Sequence, residues 1–166
     1  MVQRYPLSRK DRKRLIERVK GIVDEITGIL SRAKQIEVMR LRLNRLKVRI
    51  FLADGSPVLV ELGNELIPSL FALRFVRLGK AVYVDEGAVK HIARGADVMV
   101  PGIVKIEGDF SVGDLVEVLD PAGRPLAIAR ALMSKEEIEK SQKGRALKNL
   151  HYIGDRIFRL MNQISP

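Results

Sequence analysis

Basic side chains recur at short, regular spacing between residues 40 and 49, where they could bind the phosphates of a nucleic acid. Apolar residues alternate with them, which predicts two strands that each carry their cations on one face. If the two faces coincide, an antiparallel sheet presents a basic platform. An ordinary solvated sheet face is the alternative, but it would include acidic residues and Ser or Thr. We therefore favour a polyanion-binding surface. The residues of this basic platform are Arg40, Arg42, Arg45, Lys47 and Arg49.

The net charge of +10 is carried by the first 50 residues. This stretch has 15 Lys and Arg against five acidic residues, whereas the other 116 residues have 15 of each sign. A charge asymmetry of this kind indicates a polyanionic partner, either a nucleic acid or an anionic membrane surface. A membrane-binding helix would carry aromatic side chains at the interface, and the apolar stripe of the first predicted helix lacks them. We therefore expect no membrane partner.

A second set of residues could bring bare backbone close to a sugar-phosphate chain. Three pairs of small residues recur within sixteen positions, and glycine or alanine there leaves main-chain N–H groups open to a ligand. Two cations on the intervening helix would add phosphate contacts that position the partner without reading its sequence. Barrel corners also need glycine, which is the alternative explanation of the pattern. The residues are Gly87, Ala88, Lys90, Arg94, Gly95, Ala96, Pro101 and Gly102.

The residue types that support most enzyme chemistry are scarce. The chain has no cysteine and two histidines, which excludes disulfides, thiol nucleophiles and Cys-based zinc sites. The sequence contains no phosphate-binding glycine loop, nucleophile elbow or zinc-protease motif. We therefore predict that the protein is not an enzyme and uses no metal or cofactor. Since no apolar run is long enough to span a bilayer and no secretory signal is present, we expect a soluble protein in the cytoplasm.

Aromatic residues are few, which limits the kind of nucleic acid that the protein could bind. The chain has five Phe, three Tyr and no Trp, so a surface that stacks several bases is not expected. The expected target is structured RNA or an RNA end, bound mainly through its backbone and shape.

The hydrophobic pattern of the first 80 residues predicts a helix followed by an antiparallel sheet. Ser8 starts the helix, and Gly28 is expected to interrupt or bend it. After Ile36 the hydrophobic period changes to two, and a hairpin turn at residues 54–55 joins two of the strands. Pro68 is expected to open a short helix. We expect the apolar side of the sheet, opposite the basic platform, to pack on the first helix.

From about residue 81 the pattern predicts short strands joined by glycine turns. A helix at 86–94, closed by Gly95, lies between the first two strands, and Ser134 caps another helix. So many short strands in about 80 residues are typical of a small closed or half-closed barrel. The predicted strands cover residues 81–84, 98–106, 115–119 and 126–132, and a final segment covers 151–158.

This second half resembles a PUA domain. The resemblance rests on the run from Tyr83 to Ile103, YVDEGAVKHIARGADVMVPGI, and on shorter matches in the same order. The shorter matches are Phe110 with Val112-Gly113-Asp114, Ala127 to Ala131 with Ser134, Lys143 to Ala146, and His151 to Asp155. PUA domains are compact pseudo-barrels that bind structured RNA, commonly near a stem or a 3′ end. The resemblance implies a groove, here called the PUA groove, formed by the eight residues of the second set together with Ile103, Lys143, Arg145 and His151.

The match extends over nearly the whole chain to the malignant T-cell-amplified-sequence family and its archaeal relatives. It is carried by Ile67-Pro68-Ser69-Leu70 and by the ending from Ile138 to Tyr152. In that family a pre-PUA domain precedes the PUA domain. The resemblance therefore implies an α+β protein in which an N-terminal α/β pre-PUA domain at residues 1–79 is followed by a PUA pseudo-β-barrel at 80–158 and a C-terminal tail at 159–166.

The family resemblance also implies a role in translation. Its eukaryotic members act on the small ribosomal subunit with a partner that carries an SUI1-type domain, and their PUA domain lies near the tRNA acceptor end. We therefore predict a non-enzymatic RNA-binding factor that binds structured RNA, namely rRNA and tRNA, on the small ribosomal subunit. An accessory RNA-binding module for tRNA or rRNA modification is the alternative, because PUA domains are often attached to modifying enzymes.

Overall fold

The computed structural model describes residues 2–165, so the first residue of the predicted 1–79 domain and the last of the predicted 159–166 tail lie outside the described part. The chain forms two compact units. The first runs to Ala72 and takes in the chain again from Met161, and the second runs from Leu73 to Leu160. The boundary that the family resemblance places between residues 79 and 80 stays a prediction.

The first unit is built on a five-stranded antiparallel sheet in the order β1-β2-β3-β4-β5, with two helices between the first two strands. Its elements are β1 (Gln3–Pro6), α1 (Arg9–Val19), α2 (Asp24–Arg32), β2 (Ile36–Leu43), β3 (Leu46–Ala53), β4 (Ser56–Leu62) and β5 (Glu65–Pro68).

The predicted first helix is in fact two helices. Ser8 caps α1 as expected, since its side chain accepts a backbone N–H of the first turn at 3.1 Å. The chain leaves the helix at residues 20–23, and Gly28 lies inside α2. The predicted interruption at Gly28 is therefore wrong. Ile26 and Leu30, one turn apart, are both fully buried, and their packing outweighs the low helix propensity of glycine.

Strands β2 and β3 form as the period-two alternation predicts. Val38 lies opposite Phe51 and Arg40 opposite Arg49, so these residues project to one side of the sheet. The other side is apolar and is buried away from the turn at residues 44–45. Its buried residues are Met39, Val48, Ile50, Leu52, Val60 and Ile67.

The prediction that the first helix packs on the side opposite the cations is wrong for α1. Arg18 of α1 forms an ion pair with Glu61 at 2.6 Å, and Glu61 is the cross-strand neighbour of Arg49. Directly opposed residues of an antiparallel pair project to the same side of the sheet, so α1 lies over the cation side. The physical reason is that this side is apolar at one end, where Phe51 needs cover, and Leu15 of α1 shares a groove with it.

Pro68 ends the edge strand β5 and does not open a helix. Only a 3₁₀ turn at Ala72–Arg74 follows it. The hydroxyl of Ser69 donates to the carbonyl of Pro57 at 2.9 Å and accepts the amide of Ala72 at 3.0 Å. These local bonds take the place of the backbone bonds that a longer helix would make.

The second unit is a curled six-stranded sheet in the order β7-β11-β10-β9-β6-β8, in which β6 and β9 are parallel and all other neighbours antiparallel. It is the half-closed barrel that the short strands predict. Its elements are β6 (Ala81–Val84), α3 (Glu86–Ile92), β7 (Val98–Met99), β8 (Ile103–Glu107), β9 (Leu115–Leu119), β10 (Pro125–Ala131), α4 (Lys135–Lys140), β11 (Arg145–Tyr152) and α5 (Arg156–Ile164), of which α5 runs on into the first unit.

The predicted strand at 98–106 is interrupted by a 3₁₀ turn at Val100–Gly102, because Pro101 cannot donate a hydrogen bond to a neighbouring strand. Ser134 caps α4 in a full capping box with Glu137, as expected. The core of this barrel is mostly aliphatic, with Phe110 as an aromatic member. Its larger buried side chains include Ile92, Phe110, Leu126, Ile138 and Leu147. Every helix in residues 2–165 is too short or too polar to reach across a bilayer.

Candidate nucleic-acid interface

The hairpin of β2 and β3 gathers the basic platform on one face. Arg40 pairs with Arg49 and Arg42 with Lys47, so all four side chains project to the same side, as the alternation predicts. Arg45 lies in the two-residue turn between the strands and is exposed. Since both pairs join like charges, each opposes the pairing of the strands.

Little in the described part of the chain neutralises this charge. Arg49 has a carboxylate partner in Glu61, at 2.6 Å, and a guanidinium nitrogen of Arg40 lies 3.4 Å from the hydroxyl of Tyr5. Arg42, Arg45 and Lys47 form no ion pair with any described residue. Their mutual repulsion is of the kind that a row of phosphates would relieve.

The PUA groove begins where α3 meets the Pro101-Gly102 turn. The amide of Asp85, which caps α3, donates to the carbonyl of Gly102 at 2.9 Å, and a Cβ on Gly102 would lie 3.2 Å from that of Ala88. Gly87, one residue earlier, is exposed. Gly87 therefore leaves open backbone at the start of α3, whereas Gly102 is half-buried and packs closely against Ala88.

The start of β11 adjoins the same turn. The amide of Val100 donates to the carbonyl of Gly144 at 2.9 Å, and Arg145 pairs with Met99 across the strands. Lys143 is exposed, whereas the guanidinium of Arg145 lies 3.4 Å from a carboxylate oxygen of Asp97. The structure thus brings Lys143 and Arg145 to the Pro-Gly end of the groove, next to half-buried Ile103, which starts β8.

The C-terminal end of α3 is held in place by hydrogen bonds from Asn149, a residue that was not predicted from the sequence. The Asn149 side chain donates to the carbonyls of Ile92 and Ala96 at 3.1 and 3.0 Å, and its backbone amide donates to a carboxylate oxygen of Asp97 at 2.9 Å. Asparagine is uncommon within a strand, and its position in β11 was the available signal. Lys90 and Arg94 remain exposed and form no ion pair with the described residues.

The backbone conformation and packing at position 95 require glycine, whether or not a ligand binds there. The φ of Gly95 is +102°, and a Cβ there would lie 2.9 Å from the ring of Tyr152. Any other residue at this position would push against that ring. The glycine therefore has a structural role in the turn after α3, whereas Ala96 beside it is exposed.

The prediction that His151 lines the groove is wrong. Its side chain is 0% exposed, and its Nδ1 lies 2.6 Å from a carboxylate oxygen of Asp155. Asp155 also accepts the amides of Tyr152 and, in the first turn of α5, Phe158. Burial raises the pKa of Asp155, but the hydrogen bond and charge of His151, with the two amides, bring that pKa below its usual value. His151 therefore joins β11 to α5 and does not contact a ligand.

Glu117 in β9 is the other acidic group whose environment resembles that of a catalytic residue. It is 1% exposed, and burial raises its pKa. Its carboxylate accepts the amide of Leu78 at 3.0 Å and faces the guanidinium of Arg77. These contacts join the segment before β6 to the barrel. This structural role explains why Glu117 is buried, and no catalytic role is needed. Within residues 2–165 no group of three or more acidic, His or Cys side chains is placed to hold a metal ion.

Both halves of the chain match known protein families. The PUA domain family matches residues 80–153, and a domain of unknown function, DUF1947, matches residues 3–75. A crystal structure of a PUA domain from Aeropyrum pernix K1 has a TM-score of 0.85 and 30% identity, covering 98% of this chain and 92% of that chain. The fold and the family match define a PUA-domain protein, and the PUA domain is an RNA-binding domain.

Several relatives match through both domains. An uncharacterized protein of Methanocaldococcus jannaschii is 33% identical over 158 residues, which cover 94% of this chain and 95% of that protein. Translation machinery-associated protein 20 of Saccharomyces cerevisiae is 28% identical over 157 residues, which cover 90% of this chain and 85% of that protein. The chain belongs to the family of malignant T-cell-amplified-sequence proteins and translation machinery-associated protein 20, together with their archaeal relatives.

Similarity to an enzyme covers a smaller part of the chain. The probable tRNA pseudouridine synthase B of Pyrobaculum aerophilum is 41% identical over 63 residues, which cover 38% of this chain and 19% of that protein. The Methanocaldococcus jannaschii and Saccharomyces cerevisiae relatives, which match through both domains, are not named for a reaction.

Proposed function

We propose that the protein is a non-enzymatic RNA-binding factor of the translation apparatus. The observation that carries this proposal is the extent of the similarity to translation machinery-associated protein 20, which spans 90% of the chain and therefore includes the N-terminal unit. Similarity confined to a PUA domain would have left the role of that unit open, because PUA domains accompany many activities.

The two surfaces divide the work of RNA binding. The basic platform binds ribosomal RNA of the small subunit through phosphates, since its cations can neutralise a backbone but carry no means of reading bases. The PUA groove binds an RNA end or stem, and the tRNA acceptor end is the ligand we propose for it. There the open backbone at Gly87 allows close approach, and Lys90, Arg94 and Lys143 supply charge.

The family resemblance adds a place of action and a partner to the proposal. A factor that works on the small subunit acts in the cytoplasm, and a translation factor with an SUI1-type domain is the partner that we propose. Neither requires a cofactor.

An accessory role in RNA modification is the second candidate, favoured by the 41% identity to a stretch of tRNA pseudouridine synthase B. In that case the PUA groove would bind the tRNA and another protein would supply the reaction. This candidate gives the basic platform no target on the ribosome.

Sedimentation with purified archaeal ribosomal subunits separates the two candidates. We expect the protein to travel with the small subunit through a sucrose gradient, and Arg42→Glu with Lys47→Glu to leave the variant at the top. The matched control, Lys140→Glu with Lys148→Glu, makes the same charge change at exposed positions outside both surfaces and should travel like the unaltered protein. Binding to free tRNA without either subunit would contradict the translation-factor proposal and favour the accessory role.

A further inference from the structure

A buried carboxylate joins the helix to the basic face of the sheet. Glu61 in β4 is 6% exposed, yet it lies among cations. One of its carboxylate oxygens is 2.6 Å from Nη1 of Arg18, and the other is 2.6 Å from both Nε and Nη2 of Arg49. The two guanidiniums come from α1 and β3, and Glu61 holds them side by side.

Both guanidiniums keep donors for a ligand. The side chains of Arg18 and Arg49 are 42% and 39% exposed, whereas that of Glu61 is 8% exposed. A guanidinium carries five N–H donors, and Glu61 engages only part of each set. Arg49 is also stacked over the ring of Phe51, 5.3 Å from its centroid, which limits the directions it can take. The trio has a net charge of +1 and a fixed geometry.

Arg49 lies where two surface grooves meet. One groove runs over the platform and is lined by Arg40, Arg42 and Lys47. The other lies between α1 and the strands, where Arg18 and Arg14 line it. A chain of phosphates that leaves one groove for the other must pass the Arg18–Arg49 pair.

We propose that Arg18 and Arg49 form a phosphate-binding site in which Glu61 is the positioning residue, and that its ligand is a backbone phosphate of the RNA bound to the basic platform. The proposal rests on the proposed function for the identity of the RNA. It adds α1 to the RNA interface. It also gives Glu61 a role beneath a surface whose cations otherwise repel one another. Two adjacent guanidiniums suit phosphate, because their planar forks match its oxygens.

The substitution Glu61→Gln tests the proposal through the sign of its effect. If Glu61 only reduces the positive charge, its removal should strengthen binding of a small-subunit rRNA fragment. If it positions the two arginines, affinity should fall about tenfold although the net charge rises by one, since hydrogen bonds to a charged phosphate are lost. The control is Glu37→Gln, which makes the same charge change on the opposite side of the sheet, where Glu37 pairs with Arg4 at 2.9 Å. It should bind at least as tightly as the unaltered protein.

A second variant, Arg18→Lys, tests the same proposal independently in case Glu61→Gln does not fold. Arg18→Lys keeps the charge and a good helix former at an exposed position of α1, but it loses the planar fork. We expect it to weaken RNA binding about tenfold. Unchanged affinity for Arg18→Lys, or tighter binding by Glu61→Gln, would overturn the proposal.

Two further results distinguish an RNA phosphate from free phosphate as the ligand, and a failure of this proposal from a failure of the proposed function. Inorganic phosphate, added at constant ionic strength, should compete only weakly, because a single phosphate lacks the neighbours that the grooves hold. Tight binding of inorganic phosphate that is lost in Arg18→Lys, without any effect on RNA, would overturn the assignment to an RNA backbone. Failure of the unaltered protein to bind the rRNA fragment would instead contradict the proposed function.

Discussion

Charge reversal at Arg40, Arg42 and Lys47 is expected to abolish most of the RNA affinity of the protein. The three cations are exposed on one face, and none of them forms an ion pair with a described residue. Each lost phosphate contact lowers the slope of log affinity against log salt by about 0.7 to 0.9, so the triple Glu variant should lose roughly two to three units of slope and about 100-fold in affinity at moderate salt. A salt titration of binding to a small-subunit rRNA fragment measures both quantities.

The fold should survive this change, which is what makes the experiment informative. In the unaltered protein Arg40 faces Arg49, so Arg40→Glu replaces a repulsive cross-strand pair with an attractive one. Thermal unfolding should therefore show no loss of stability. The control reverses Lys140, Lys148 and Arg156, three exposed cations outside both surfaces, and should keep the full salt slope. An unchanged slope in the platform variant would mean that the strand face is merely solvated.

Gly108→Ala is expected to cause a large loss of stability in the barrel. Gly108 follows β8 with φ of +74°, and a Cβ there would overlap the carbonyl oxygen of Gly79. Backbone cannot move aside as the end of a flexible side chain can, so the strain of the left-handed conformation and the clash add together. We expect a loss of about 3 kcal/mol or more in the free energy of unfolding, measured by denaturant titration.

Gly113→Ala provides the matched control for this prediction. Gly113 also has a left-handed conformation, with φ of +94°, but a Cβ there would meet nothing within 4 Å. Its loss should be about 1 to 2 kcal/mol, which is the cost of the conformation alone. Equal losses for the two variants would show that the approach of Gly79 to Gly108 does not matter for stability.

Local patterns predicted the elements that hydrophobic alternation defines. The basic hairpin follows from period-two alternation, and strands β6, β9 and β10 follow from short apolar segments between glycine turns. Ser8 and Ser134 start helices as capping residues should. The prediction failed where burial of neighbours decided the outcome. Gly28 stays helical because Ile26 and Leu30 are buried beside it.

The strand β1 was not predicted, because its four residues are all exposed and carry no apolar alternation. It forms by adding to the edge of β2, which is a tertiary contact that no local pattern encodes. The prediction of a helix at Pro68 was wrong for a related reason. Proline can open a helix or end an edge strand, and here the pairing of β5 with β4 determines which of the two forms.

The candidate site, too, could be predicted from the sequence only in part. The common face of the platform follows from the spacing of its residues, because the two-residue turn at Asn44 and Arg45 fixes the register of the hairpin. The contact of Glu61 with Arg18 joins residues far apart in sequence and could not be predicted from spacing. Nor could the burial of His151, which depends on Asp155 turning back toward it at the start of α5.

Crosslinking of the native full-length protein to RNA in an extract of its own cells, followed by sequencing of the bound RNA and mapping of the crosslinked peptides, tests the central claim most directly. We expect reads on small-subunit rRNA with crosslinks in residues 40–49, and reads on tRNA 3′ ends with crosslinks in residues 87–103. Reads confined to one tRNA arm or to a modification site, with no small-subunit rRNA, would contradict it.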